Sequence, residues 1–109
     1  MSQNCFTKYV PKTKEELKKL IEKDIPGKKI DVSNIKDMSE LFKDNKKYNH
    51  PLEGWDVSNV TNMSHMFYDC KYNHPLEKWD VSNVTNTSKM FEKSKINYKK
   101  VNGKLIKVN

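Results

Sequence analysis

Residues 48–71 and 72–95 carry one 24-residue pattern twice, with no gap between the copies. YNHPLEGWDVSNVTNMSHMFYDCK is followed by YNHPLEKWDVSNVTNTSKMFEKSK, and 18 of the 24 positions agree. A looser copy, IDVSNIKDMSELFKDNKK at 30–47, comes first and is one residue longer between its Phe and the next Tyr. A unit this short cannot bury its apolar side chains alone, so a fixed period predicts units that stack on their neighbours. Equivalent residues then recur about 4.8 Å apart, and every repeated position is one rung of a column.

Within a copy the apolar positions are Trp55, Val57, Val60, Met63, Met66 and Phe67, then Tyr72 and Leu76. The spacing from Val60 to Phe67 predicts short helices near 36–44, 61–70 and 85–93, with Ser58, Asn59 and Thr61 as N-caps. The Pro-Leu-Glu segments at 51–53 and 75–77 read as short strands, with each Pro at the first position where it is tolerated. One strand and one helix per copy predicts an α/β repeat, a short leucine-rich-repeat-like solenoid of about three turns.

Both ends of the chain differ from the repeats. In residues 1–29, Thr13 and Glu16 form a capping-box pattern, Leu17, Leu20, Ile21 and Ile25 make one stripe, and Pro26-Gly27 stops the helix. In residues 99–109, Asn102-Gly103 between two apolar, β-branched runs predicts a hairpin. The expected organisation is one folded domain, with an N-terminal helical cap (1–29), three repeats (30–98) and a C-terminal β-hairpin cap (99–109). The presence of both caps leads to the expectation that the chain is a complete protein.

Several columns follow. Trp55 over Trp79 is an aromatic stack serving the core. Asn49, Asn73 and Asn97 form a ladder suited to bonding backbone groups between copies. Asp31, Asp56 and Asp80 bring like charges into register. Each carboxylate must then accept N–H groups of the Ser-Asn turn that follows, or a cation must bridge the column. His50 and His74 stack, but Tyr98 stands at the third position, so no metal site is expected. Thr87 replaces an inward Met and thins the core near one end, where another molecule can make contact.

The net charge is +7 and all 21 basic residues are Lys. That field attracts acidic proteins, nucleic acid or anionic surfaces, yet without Arg there is no planar fork to read guanine or clamp phosphate. Cys5 and Cys70 have no CxxC spacing. Cys70 faces Ser94 of the next copy, which predicts a small buried thiol. No apolar run is long enough for a membrane span, and the first residues lack the apolar stretch of a signal peptide. A cytoplasmic or virion location is expected. No nucleophile–His–acid set, Gly-rich phosphate loop or isolated carboxylate pair is present, so neither catalysis nor a cofactor is expected.

WDVSNVTNMSHMF, WDVSNVTNTSKMF and DVSNIKDMSELF resemble the BspA-like leucine-rich-repeat family, also known from mycoplasma lipoproteins of unknown function and large DNA viruses. The likeness covers roughly residues 9–98. It implies a curved solenoid with a non-enzymatic role in adhesion or protein–protein contact, as a virion component or host-directed effector. Candidate partner-binding residues are His50, Glu53, His74, Glu77 and Lys78. The alternative is a Lys-driven, sequence-nonspecific binder of nucleic acid or anionic surfaces. Three copies make a face only about 15 Å tall, short of the roughly 800 Å² a standard interface needs from each partner. An end or a second face is therefore expected to contribute.

Overall fold

A computed structural model describes residues 8–108. It contains helix α1 (Lys14–Glu22) and a two-stranded antiparallel sheet of β1 (Tyr98–Val101) and β2 (Lys104–Lys107), with a 3-10 turn at Gly27–Lys29. The body measures 45 × 27 × 22 Å. Its radius of gyration of 13.4 Å is near the ~13 Å expected of a compact chain of this length.

The expected α/β leucine-rich-repeat solenoid of about three turns does not form. Among the described residues the repeats contain neither the helices expected near 36–44, 61–70 and 85–93 nor strands at 51–53 and 75–77. The copies are chains of turns. Val60 N–H donates to the Val57 carbonyl, Met66 to Met63 and Met90 to Thr87, each three residues back. Such turns send every third side chain inward, which puts Val57, Val60, Met63 and Met66 in the core, each 1% exposed or less. A period of three and a helical period of 3.6 are hard to tell apart over so few residues. The Pro-Leu-Glu segments are turns as well, with Trp55 N–H closing onto Leu52 and Trp79 onto Leu76.

A helix would use its N–H groups on carbonyls four residues back. Here they reach the next copy. Met38, Glu40, Phe42 and Asp44 donate to the carbonyls of Asn62, Ser64, Met66 and Tyr68. Met63, His65, Phe67 and Asp69 then donate to those of Asn86, Ser88, Met90 and Glu92. Non-glycine residues at positive φ recur in step, as Glu40 and Asp44, His65 and Asp69, Lys89 and Lys93 (φ 50–62°). The regular parallel pairing between copies is a row of isolated bridges, Asp37–Asn62–Asn86.

The aromatic columns run through the core as expected. Phe42 and Phe67 are 5.4 Å apart, Phe67 and Phe91 5.6 Å, and Trp55 and Trp79 6.5 Å, with ring planes within 9° of parallel. Each indole N–H donates backward between copies, Trp79 to the Leu52 carbonyl at 2.8 Å and Trp55 to Gly27 at 3.0 Å. Gly27 therefore occupies the place that Leu52 and Leu76 hold in later copies, and its turn closes the same way, Ile30 N–H on Gly27.

Helix α1 starts as its residues dictate. The Thr13 hydroxyl accepts from Glu16 N–H at 3.1 Å, and the Glu16 carboxylate takes the N–H of Lys12. Leu17 and Ile21 are buried, and Leu20 and Ile25 pack partly against the core. The helix ends at Glu22, before the expected Pro-Gly stop. Lys23 N–H closes it and Asp24 turns to φ 61°. The hairpin forms as expected, with Asn102 (φ 51°) and Gly103 (φ 77°) in the two left-handed positions of a type I′ turn. It docks on the third copy through Val81 N–H to the Gly103 carbonyl.

Candidate functional site

The segments expected to carry partner contacts lie along one side of the stacked copies. His50 places Nε2 3.1 Å from Asp24 Oδ1 and its ring edge-on to Tyr48. His74 places Nε2 2.7 Å from the Asn49 carbonyl and packs the same way on Tyr72. His50 thus ties its copy to the segment after α1, and His74 ties its copy to the one before. Glu53 and Lys78 pair across copies at 3.7 Å. Glu77 accepts from the Tyr98 hydroxyl at 3.3 Å. The five residues form no single pocket: the two His join columns, and Glu53, Glu77 and Lys78 stand at the surface edge.

Beneath them runs a column of tyrosine hydroxyls. Tyr72 accepts from the buried Leu52 N–H at 3.0 Å, and Tyr98 accepts from Leu76 N–H at 3.3 Å. Tyr98 aligns in sequence with His74, but its hydroxyl does the work of Tyr72 one copy later. Ile96, aligned with Tyr72, supplies only apolar bulk. Burial pushes the Tyr48 and Tyr72 hydroxyls well above the ordinary tyrosine range, so they stay neutral donors and acceptors. Tyr72→Phe is expected to cost about 1–3 kcal/mol, because it strands a buried N–H rather than removing a matched pair. Denaturant midpoints of the two proteins measure this, and an unchanged midpoint would show that Leu52 N–H finds another acceptor.

The acidic column is held by its own turns. Asp31, Asp56 and Asp80 each accept, through Oδ1, both the N–H and the hydroxyl of the Ser two residues on, at 2.6–3.1 Å. Bonds from Ser33, Ser58 and Ser82 hold the three carboxyls below the ordinary 3.8, while Asp31 and Asp80 push the central Asp56 the other way. Depressed carboxylates stabilise the fold above the unfolded value, and that stability is lost as pH falls through the folded one. The thermal midpoint is therefore expected to drop below pH 3.8. A D31N/D56N/D80N variant keeps the acceptor oxygens and should lose that part of the acid slope. Parallel curves for the two proteins would refute the coupling.

The expected Asn ladder of Asn49, Asn73 and Asn97 forms at its first step only, within a larger set of bonds between copies. Asn49 Oδ1 accepts from Asn73 N–H, and Asn97 lends its carbonyl to Val108. Asn59 and Asn83 bond the carbonyls of Ser33 and Ser58, and Thr61 and Thr85 bond those of Lys36 and Thr61. Ser58, Asn59 and Thr61 were expected to cap helices; instead the Ser58 hydroxyl bonds Asp56 of its own turn, and Asn59 and Thr61 bridge copies. On the outward face, Lys43 and Lys93 approach the Tyr68 ring from neighbouring copies at 5.7 and 5.8 Å. In the sequence that place is marked by a difference between the copies, Tyr68 against Glu92. Cys70 is a buried free thiol, raised above its usual range by burial, and Cys5 lies outside the described residues.

The third copy is packed less well at its outer end. Met38 and Met63 are fully buried, whereas Thr87 in the same column is exposed. A groove of about 570 Å³ opens there between the third copy and β1, lined by Thr87, Phe91, Lys93, Tyr98 and Leu105 among others. No described helix is long and apolar enough to cross a membrane. No match was found among curated proteins or among solved structures. The family comparison does match: over residues 8–105 the chain fits, and therefore belongs to, the family described as "Mycoplasma protein of unknown function, DUF285".

Proposed function

We propose that this chain is a non-enzymatic protein-binding module. The observation that carries this reading is the division between columns. Inward positions repeat as Phe42–Phe67–Phe91 and Trp55–Trp79, while outward positions held in the same register differ in charge, as Glu40, His65 and Lys89 do. Such a body presents a fixed backbone with variable side chains, which suits recognition by shape and charge. The likeness of the copies to BspA-like proteins supports the same reading, and with it a role as a virion component or host-directed effector. His50, Glu53, His74, Glu77 and Lys78 form one candidate contact strip. The exposed Glu53–Lys78 pair contributes little to stability, so its residues are free to serve a partner.

The test is affinity capture from cell lysate at low and high salt, with and without nuclease. A discrete protein retained under every condition, and lost with alanine at Glu53, Glu77 and Lys78, supports the module and the strip. Retention by that variant removes the strip from the proposal. The net charge of +7 favours a second reading, nonspecific contact with nucleic acid or an anionic surface. It predicts affinity falling with log salt by about 0.9 per phosphate neutralised.

A further inference from the structure

The hydrogen bonds between copies in the Met38–Asp44 and Met63–Asp69 rows all point one way, from the N–H of one copy to the carbonyl of the next. The last copy must therefore end in donors. Thr87, Lys89, Phe91 and Lys93 are the equivalents of Met63, His65, Phe67 and Asp69, and among the described residues none of their N–H groups has a partner. All four residues line the groove at the end of the third copy. Phe91 closes the phenylalanine column there, only partly buried, with Phe67 stacked on one side and the tilted Tyr98 ring 5.5 Å away. At the opposite end, Lys14 of α1 already sits on the Ser39 carbonyl, within the matching row of acceptors. Head-to-tail stacking of a second copy is thereby hindered.

Unpaired N–H groups in a row, with Lys89 and Lys93 at positive φ, make a concavity that favours anionic oxygens and carbonyls. Its rim carries Lys89, Lys93, Lys99 and Lys100 against the single carboxylate of Glu92. Lys100 is partly engaged with the Val84 carbonyl and Lys93 with Tyr68. Resting on the protein-binding reading, we propose that this edge docks an extended acidic peptide segment of a partner protein. Carbonyls of alternate residues would meet the four N–H groups, an aromatic side chain would cover Phe91, and flanking carboxylates would face the lysines. A peptide fits better than nucleic acid because the equivalent donors of both earlier copies are each met by alternate carbonyls of a chain carrying a Phe in the next rung.

The test uses the whole protein and a synthetic nine-residue Asp/Glu-rich peptide with a central Phe, compared with a Lys-rich counterpart and oligo-dT. Amide exchange followed by NMR should show Thr87, Lys89, Phe91 and Lys93 exchanging fast in the free protein and at least tenfold slower with the acidic peptide. K89E/K93E should weaken that peptide at least tenfold while leaving the thermal midpoint nearly unchanged. The proposal is overturned if the four amides do not respond to saturating peptide. Equal protection by oligo-dT, or protection from raising the protein's own concentration, overturns it too. The protein captured from lysate separates the two readings. If K89E/K93E retains it, the module stands and this edge is not its site.

Discussion

Phe67→Ala is expected to remove about 3–5 kcal/mol of folding stability. Phe67 is fully buried at the centre of the column. Its ring stacks on Phe42 and Phe91 and also meets Tyr72 and Trp79, all at 5.1–6.1 Å. The backbone on both sides is tied to the neighbouring copies, Phe67 N–H to the Met90 carbonyl and Phe42 N–H to the Met66 carbonyl. Those bonds prevent the site from collapsing around the void, which places the cost high in the usual range. Domains of this size have only about 5–15 kcal/mol in total, so the variant should sit near its unfolding threshold at room temperature. Phe91→Ala supplies the internal control, since that ring is only partly buried at the open end and its loss should cost much less. Urea unfolding of both variants measures the difference. Equal losses would mean that the column does not act as a continuous core.

The second large effect is expected at Gly27, where an added methyl group has nowhere to go. A Cβ at this position would lie 2.6 Å from Leu52 Cδ2 and 2.8 Å from the Pro51 carbonyl oxygen. The leucine tip can move but the carbonyl is backbone. The Gly27 carbonyl also holds the Trp55 indole N–H and the Ile30 N–H, so a shift of the turn strains two further bonds. Gly27→Ala is therefore expected to cost about 1–3 kcal/mol through overpacking. Gly54→Ala, with open space around its Cβ, should be close to neutral. A thermal melt of the pair decides the matter. If the two variants melt together, the close approach of the first turn to the second copy carries no energetic weight.

These two glycines show how far local sequence could be read. Gly27 was visible only as part of a Pro-Gly stop, and its role as the first rung beneath Leu52 depends on a contact 25 residues away. Tyr98 is similar: aligned by sequence with His74, it serves in place of Tyr72 because β1 carries its hydroxyl back under Leu76. The Asp–Ser turns were legible, since a column of like charges must find donors close by and Ser follows at a fixed distance. The Trp stack, the hairpin and the start of α1 were legible for comparable local reasons. The candidate strip was legible as a surface but not in its contacts, because the partners of His50 and His74 come from preceding segments.

By itself, the repeat determined that equivalent side chains would form columns and that the apolar columns would be the core, and Asn102-Gly103 beyond it determined the hairpin. Those outcomes follow from local chemistry and from identical units needing to bury identical faces. Whether each unit was helix or turn was decided only in the tertiary structure. A run of apolar residues at every third position satisfies either conformation, and the choice rests on where the backbone N–H groups find their acceptors. Here the next copy supplies them in the Met38–Asp44 and Met63–Asp69 rows, so the helices are replaced by turns and the donors of these rows point one way along the stack. The last set is left facing the groove at the end of the third copy.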